Sequence, residues 1–200
     1  MKLDKLTDRE IEDIAGVFSD HIFGNGEKGL YYLCKSRDER KAFVTGYINY
    51  LLTGARFFTV SRKKEGYICL QTQTGRASLK GKVAFVFGII KSMGIPGALR
   101  FGIDYMKAGK PIEKLLRSEG YVHIRLLAVR KEYQGQGYMK KLIDIAFDQA
   151  KKKNVPCIVS TDSMEKAERY ERYGFRLFRK RHLSDSATEY DMIWQTVSNA

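Results

Sequence analysis

Residues 121–129 read YVHIRLLAV, and residues 130–150 continue RKEYQGQGYMKKLIDIAFDQA. The first nine residues form a strand pattern. Alternation puts His123, Arg125, Leu127 and Val129 on one face and Val122, Ile124, Leu126 and Ala128 on the other. Two glycines follow in Gln134-Gly135-Gln136-Gly137-Tyr138, where the backbone can turn tightly and approach a ligand. Met139, Leu142, Ile143, Ala146 and Ala150 then recur at helical spacing. Lys151, Lys152 and Lys153 lie in the last turn, where cations complement the helix dipole. Asn154-Val155-Pro156 breaks the helix. A buried strand that enters a helix through glycines leaves free N–H groups and partial positive charge at the turn, a seat for phosphate oxygens. A turn that needs glycine for geometry alone has the same letters. The loop is no P-loop, because Gly-Lys-Ser/Thr is missing at the required spacing. It is also no dinucleotide fingerprint, because Lys140 fills the third glycine position.

Downstream, Cys157–Ser160 reads as a short buried strand. Asp162 and Glu165 open a helix that carries Ser163, Ala167 and Tyr170 on one face and stops at Gly174. Strands are expected over 175–181 and 189–197, joined by a turn at Ser184–Ala187. Upstream, Thr7/Glu10 and Ser36/Glu39 are capping boxes. The first opens a helix with Ile11, Ile14, Ala15 and Phe18 on its face, ended by residues 24–26. The second opens one lined by Phe43, Tyr47 and Leu51. Phe57–Arg62 and Tyr67–Thr72 predict an antiparallel hairpin. Residues 76–120 predict two apolar helices, 79–93 and 98–106, separated by Gly94-Ile95-Pro96-Gly97, then a short helix from Lys110-Pro111 to Leu116. This segment is either extra core or a wall over a substrate pocket.

Two hundred residues and 23.0 kDa suit one domain over 1–200, with 76–120 as a helical insertion. Apolar residues at 44% exclude disorder as the main state. The 36 basic residues against 23 acidic ones give +13, which favours an anionic partner without choosing among nucleic acid, a membrane surface and a phosphorylated cofactor. Cys34, Cys69 and Cys157 are odd in number and scattered, so neither a disulfide framework nor a metal site is expected. The polar start does not look like a signal peptide. The longest apolar run, Val83–Ile90, falls short of the roughly 20 residues of a membrane span. A cytoplasmic protein with no membrane partner is therefore expected.

The segment Gln134-Gly135-Gln136-Gly137-Tyr138-Met139, placed after the strand Leu126-Leu127-Ala128-Val129, resembles the acyl-CoA loop of the GNAT acyltransferase superfamily. Tyr170-Glu171-Arg172-Tyr173-Gly174-Phe175 resembles that family's Tyr-x-x-x-Gly-Phe segment. The likeness is specific over residues 121–178, and element order agrees over most of the rest. It implies a mixed α/β fold: a splayed, mostly antiparallel central sheet flanked by helices, with the insertion before the central strand. It further implies acetyl-CoA as acyl donor and an amine as acceptor, joined by direct attack. Leu127, Ala128 and Val129 would hold the pantetheine arm as an added strand would. N–H groups of Gln134, Gly135, Gln136, Gly137, Tyr138 and Met139 would hold the pyrophosphate, and Tyr170 would protonate the departing thiolate. Met139 stands where the family has a small residue. Ser163 stands in for an asparagine that would bond the pantetheine amide.

His123 is the candidate base for the amine, since imidazole titrates in the useful range; a strand histidine with an ordinary hydrogen-bond partner is the plainer reading. The Val129 N–H is a candidate oxyanion donor. Arg130, Lys140 and Lys141 could meet the 3′-phosphate, or simply be solvated. Cys157 is disfavoured as a nucleophile, because no basic neighbour lowers its pKa. The alternatives are a non-catalytic acyl-CoA-binding or regulatory module and a basic nucleic-acid-binding protein. The latter lacks any recognition-module signature, so no nucleic acid is expected. A homodimer is compatible with all of these readings.

Overall fold

Thr7 and Ser36 each accept a hydrogen bond from the N–H three residues on, and Glu10 and Glu39 each reach back to the cap. Both capping boxes therefore form, and they start α1 (Asp8–Ser19) and α2 (Arg37–Leu51). The computed structural model describes residues 1–21, 23–24 and 26–195. Residue 25 of the expected turn and residues 196–197 of the last expected strand lie outside the described residues. Among the described residues, seven strands form one sheet: β1 (Lys2–Leu3), β2 (Arg56–Thr59), β3 (Gly66–Thr72), β4 (Val122–Val129), β5 (Cys157–Thr161), β6 (Arg176–Ser184) and β7 (Ala187–Trp194). Their order is β1-β2-β3-β4-β5-β7-β6, antiparallel throughout except between β4 and β5. The remaining helices are α3 (Leu79–Lys107), α4 (Ile112–Leu115), α5 (Tyr138–Lys153) and α6 (Met164–Glu171). This is the mixed α/β architecture with a mostly antiparallel sheet that the sequence predicts.

Three details differ from expectation. The polar N-terminus forms β1, and just before it the Met1 ammonium donates to the Thr59 carbonyl at 2.7 Å. The two expected helices of the insertion both form, but the break between them is Gly94 alone (φ 70°, ψ 173°) rather than residues 94–97, so they follow one another as the two arms of α3. Pro96 falls in the first turn after the bend, where its missing N–H costs no helical bond. The whole of α3 is long and apolar enough to cross a membrane by length and composition, which the run Val83–Ile90 understated. The third difference is in β4. Cys69 pairs with Leu126 and Leu70 with Ile124, so Arg125 is an extra residue, a β-bulge. Strict alternation fails there. Val122 and Ile124 face α5, but beyond the bulge Leu126 and Ala128 face α1 and α2.

Each sheet face has its own core. Ile14, Phe43, Ile48 and Leu51 pack on Tyr67, Cys69, Leu126 and Ala128. Leu142, Ile143, Ala146 and Ala167 pack on Ile68, Leu70, Val122, Ile124 and Met192. The insertion rests on α2 through two glycines. A Cβ on Gly46 would lie 2.8 Å from the Gly88 Cα, and one on Gly88 would lie 2.7 Å from the Gly46 Cα. Both atoms belong to backbone, so neither can yield without separating the helices. Gly88→Ala is expected to lower stability by about 1–3 kcal/mol through overpacking, read as a lower urea midpoint with an unchanged slope.

Candidate functional site

Strands β4 and β5 pair only from Val122/Cys157 to Ile124/Val159. From Arg125 to Val129, β4 keeps β3 on one edge and, among the described residues, has no strand on the other. The divergence opens a cavity of about 1770 Å³. At one end it is lined by Leu127, Ala128, Val129, Gln134, Gly135, Gly137, Tyr138 and Met139, and Tyr170 and His123 line it as well. Ten of the twelve residues proposed from sequence thus meet in one cavity. Gln136 and Ser163 do not. The Gln136 amide donates to the Glu132 carbonyl at 2.9 Å, and the Ser163 hydroxyl caps α6 by accepting from the Lys166 N–H at 3.3 Å. Buried outside the cavity lining, Ser163 is not placed to stand in for a pantetheine-binding asparagine.

The glycine turn is built for close approach. Gly135 (φ 74°) and Gly137 (φ 77°) are left-handed, and a Cβ on either would meet nothing within 4 Å. Gly137 precedes α5 and has no side-chain capping bond, so N–H groups at the helix start remain available. The Gln134 amide donates to the Val129 carbonyl at 3.0 Å and ties the loop to the end of β4. Local partners engage the cations considered for a 3′-phosphate: Arg130 pairs with Glu132 at 2.6 Å, Lys140 with Asp144 at 2.8 Å, and Lys141 lies 4.6 Å from the Tyr138 ring centre.

Tyr170 ends α6, where Gly174 (φ 92°) turns the chain and the Phe175 N–H returns to the Tyr170 carbonyl at 3.3 Å. The Tyr170 ring packs edge-on against Phe175 at 5.4 Å. Burial, followed by the nearby Cys157 and Asp162, raises its pKa, so the phenol keeps its proton and can donate it. Burial likewise pushes the Cys157 thiol up, leaving no thiolate for nucleophilic attack.

His123 requires a correction. Because of the bulge it does not share a face with Leu127 and Val129; it looks toward the opposite side of the sheet, with Leu126 and Ala128. Its Nδ1 lies 3.3 Å from an Arg125 guanidinium nitrogen, and since guanidinium only donates, Nδ1 accepts. Burial, then Arg125 and Arg181, hold its pKa well below the ordinary value. A lone pair already engaged, beside two cations, makes a poor base.

Sequence reasoning missed a carboxylate on that same side. Glu189, on β7, is 6% exposed and lines the cavity. Burial raises its pKa to about 7, although the neighbouring Arg181 lowers it. Arg181 bonds both Glu189 and Asp191, the latter at 3.0 Å, and Arg179 reaches Asp191 at 3.0 Å. Arg125 bonds Glu113 at 3.1 Å. Counting outward from the turn at Ser184–Ala187 would pair Arg181 with Tyr190; a register shift between His182 and Ser184 instead sets Arg181 opposite Glu189 and Arg179 opposite Asp191, opposite charges facing across a hairpin that sequence counting does not find. Around the charges stand the rings of Tyr31, Phe43, Tyr47, Phe85, Phe101 and Tyr105, also cavity-lining. The insertion therefore forms a wall of this cavity.

Residues 94–177 match the acetyltransferase (GNAT) domain family. No curated protein matches the chain. Among solved structures, an N-acetyltransferase from Staphylococcus aureus Mu50 aligns with TM-score 0.59 and 14% identity, over 97% of this chain and 100% of that one. A protein from Corynebacterium glutamicum ATCC 13032, described as histone acetyltransferase HPA2 and related acetyltransferase, aligns with TM-score 0.56 and 14% identity, over 95% and 93%. Arylalkylamine N-acetyltransferase 2 from Aedes aegypti aligns with TM-score 0.52 and 11% identity, over 94% of each chain. The fold matches that of these solved structures. The resemblance to the GNAT superfamily carried by the glycine loop and the Tyr170–Phe175 segment is borne out.

Removing Arg181 leaves Glu189 and Asp191 buried without their shared cation. Arg181→Met is expected to destabilise the fold by about 3–5 kcal/mol at neutral pH, measured by urea denaturation.

Proposed function

We propose that the protein is an N-acetyltransferase that takes its acetyl group from acetyl-CoA and passes it to an amine. The observation that carries this reading is the unpaired edge of β4, which runs from the bulge at Arg125 straight to the uncapped start of α5, with Tyr170 lining the same cavity. The free edge at Leu127–Val129 suits the amides of a pantetheine arm, which would add to the sheet as a strand does. The open space above Gly135 and Gly137, with free N–H groups at the helix start, suits a pyrophosphate. Acetyl-CoA supplies an acyl thioester there. Everything else is the work of this chain's residues.

A protonated Tyr170 donates to the sulfur as negative charge develops on it. The N–H groups of the free β4 edge, Val129 among them, are available to the oxyanion. Glu189 takes over the role proposed for His123. It is a carboxylate poised near neutrality, on the aromatic side of the cavity, where an amine must give up a proton before it can attack. His123 stays neutral and braces Arg125. The six aromatic rings suit an acceptor with an apolar or aromatic body, which they would hold with its amine toward the charged floor.

The reading is tested by thiol release from acetyl-CoA over a panel of amines, aromatic amines included. Release dependent on an amine supports it; acetyl-CoA binding with no release for any amine points to a non-catalytic module. With an active acceptor, Tyr170→Phe is expected to lower kcat by on the order of 10²-fold, with acetyl-CoA affinity and melting temperature nearly unchanged. A wild-type kcat, where the chemical step limits turnover, returns Tyr170 to the core. Deprotonated Glu189 is the active form, so kcat/KM should rise with pH and level off above about 7. Glu189→Gln should remove that limb. A limb well below the ordinary histidine range, kept in Glu189→Gln and lost in His123→Gln, would give the base back to His123.

A further inference from the structure

The inner side of α3 packs on α2 and lines the cavity; among the described residues, its outer side leaves a row of large apolar side chains exposed. Leu79, Val83, Val86 and Phe87 on the arm before Gly94 are 54–78% exposed, and Ile95, Leu99, Ile103 and Met106 on the arm after it are 47–75% exposed. The spacing repeats. Positions 79, 83, 86, 87 and 90 stand to one another as 95, 99, 102, 103 and 106 do. At 100° per residue each set fills an arc of about 100°, the width of one apolar helix face. Cations flank these arcs: Lys80 and Lys91 on one side and Lys82 on the other in the first arm, Arg100 and Lys107 in the second. The one acid in α3, Asp104, is engaged by the Tyr32 hydroxyl at 2.7 Å and lies 3.7 Å from Arg100. Among the described residues the outer face therefore offers apolar side chains and positive charge.

Three occupants compete for such a face. A membrane-spanning role conflicts with the packing, because α3 is bent at Gly94 and its Gly88 is pressed against Gly46 of α2. A second copy would bring two lysine-flanked faces together, in a chain that already carries +13. An anionic lipid surface matches both parts of the pattern, accepting the apolar arcs at the acyl boundary and the cations among its headgroups. We propose that the outer face of α3 seats the protein on an anionic lipid surface. Docking is interfacial and reversible. Val86, Ile95 and Leu99 also line the cavity, so that lip of the site meets the lipid. This departs from the expectation of no membrane partner, and it does not depend on the acyl-transfer reading.

The test is sedimentation of the full chain with phosphatidylcholine vesicles, with or without phosphatidylglycerol, at low and high salt. Partition onto the anionic vesicles is expected, with little onto pure phosphatidylcholine and a marked loss in salt. Phe87→Glu with Met106→Glu, both outside the cavity lining, should weaken partition roughly tenfold or more. Lys91→Gln with Lys107→Gln should weaken it by about 25-fold, taking roughly fivefold per cation near an anionic leaflet. Thermal melting of each variant, expected to match wild type because these side chains are exposed, shows that folding is intact. No partition at low salt, or partition that both double variants retain, overturns the proposal. So does a dimer in the absence of vesicles that Phe87→Glu/Met106→Glu dissociates, since the occupant would then be a second copy.

Discussion

The extra residue in β4 is the constraint on which the rest of the structure depends. A bulge increases local twist and bends the strand that carries it. Here the bulged strand is central, so the bend pulls β4 away from β5, and pairing ends at Ile124/Val159. In the middle of a sheet, unpaired backbone groups are costly unless something meets them. The structure manages some of them internally: the Tyr47 hydroxyl donates to the Arg125 carbonyl at 3.2 Å, and the Gln134 amide caps the Val129 carbonyl. The rest of that edge faces the cavity. The binding site is thus the polar remainder of a sheet that could not close.

The same bulge buries a guanidinium. Arg125 faces Glu113, His123 and the ring of Tyr47, 5.8 Å from its centre. Two further arginines and two acids complete a charged floor under an aromatic roof. In such a low-dielectric setting each group sets the protonation of the next. Arg125 and Arg181 keep His123 neutral, and burial holds Glu189 near the middle of its titration while Arg181 holds it back from full neutralisation. Two titratable groups on one side of a cavity, with pKa values pushed in known directions, define which can take a proton and which can only orient a neighbour.

Much of the fold was legible because its signals are local. The capping boxes at Thr7 and Ser36, the period of α5 and the glycine turn at 134–138 all depend on residues within one turn of each other. Residues 121–178 also yielded the residues around the glycine turn that meet in the cavity, since a glycine loop and Tyr170 are marked by spacing. What stayed hidden was non-local or without a sequence marker. No glycine or proline announces the bulge at Arg125, so strict alternation put His123 on the wrong face. Ser163 could not be recognised as a cap ahead of Asp162, because both residue types fit the position. Glu189 read as one polar letter in an edge hairpin, and only its depth in the fold gives it a shifted pKa.

The insertion shows why the aromatic side of the cavity resists reading from sequence. Its apolar content is divided between two opposite faces, so the run of letters looks like core throughout. The division is made by glycine. Gly46 and Gly88 let α3 approach α2 closely enough for Phe85 to reach Phe43, with ring centres 5.8 Å apart, and the bend at Gly94 brings Phe101 to the same ring at 5.7 Å. Tyr32 then holds Asp104, and Arg181 lies over the ring of Tyr105 at 5.3 Å. These last two contacts tie the wall to the loop after α1 and to the charged floor on β6 and β7. A shift of α3 along α2 would therefore move the aromatic roof and unsettle the Arg181 cluster together. The wall, the floor and the acid poised between them behave as one mechanical unit, and that unit is anchored where two glycines touch.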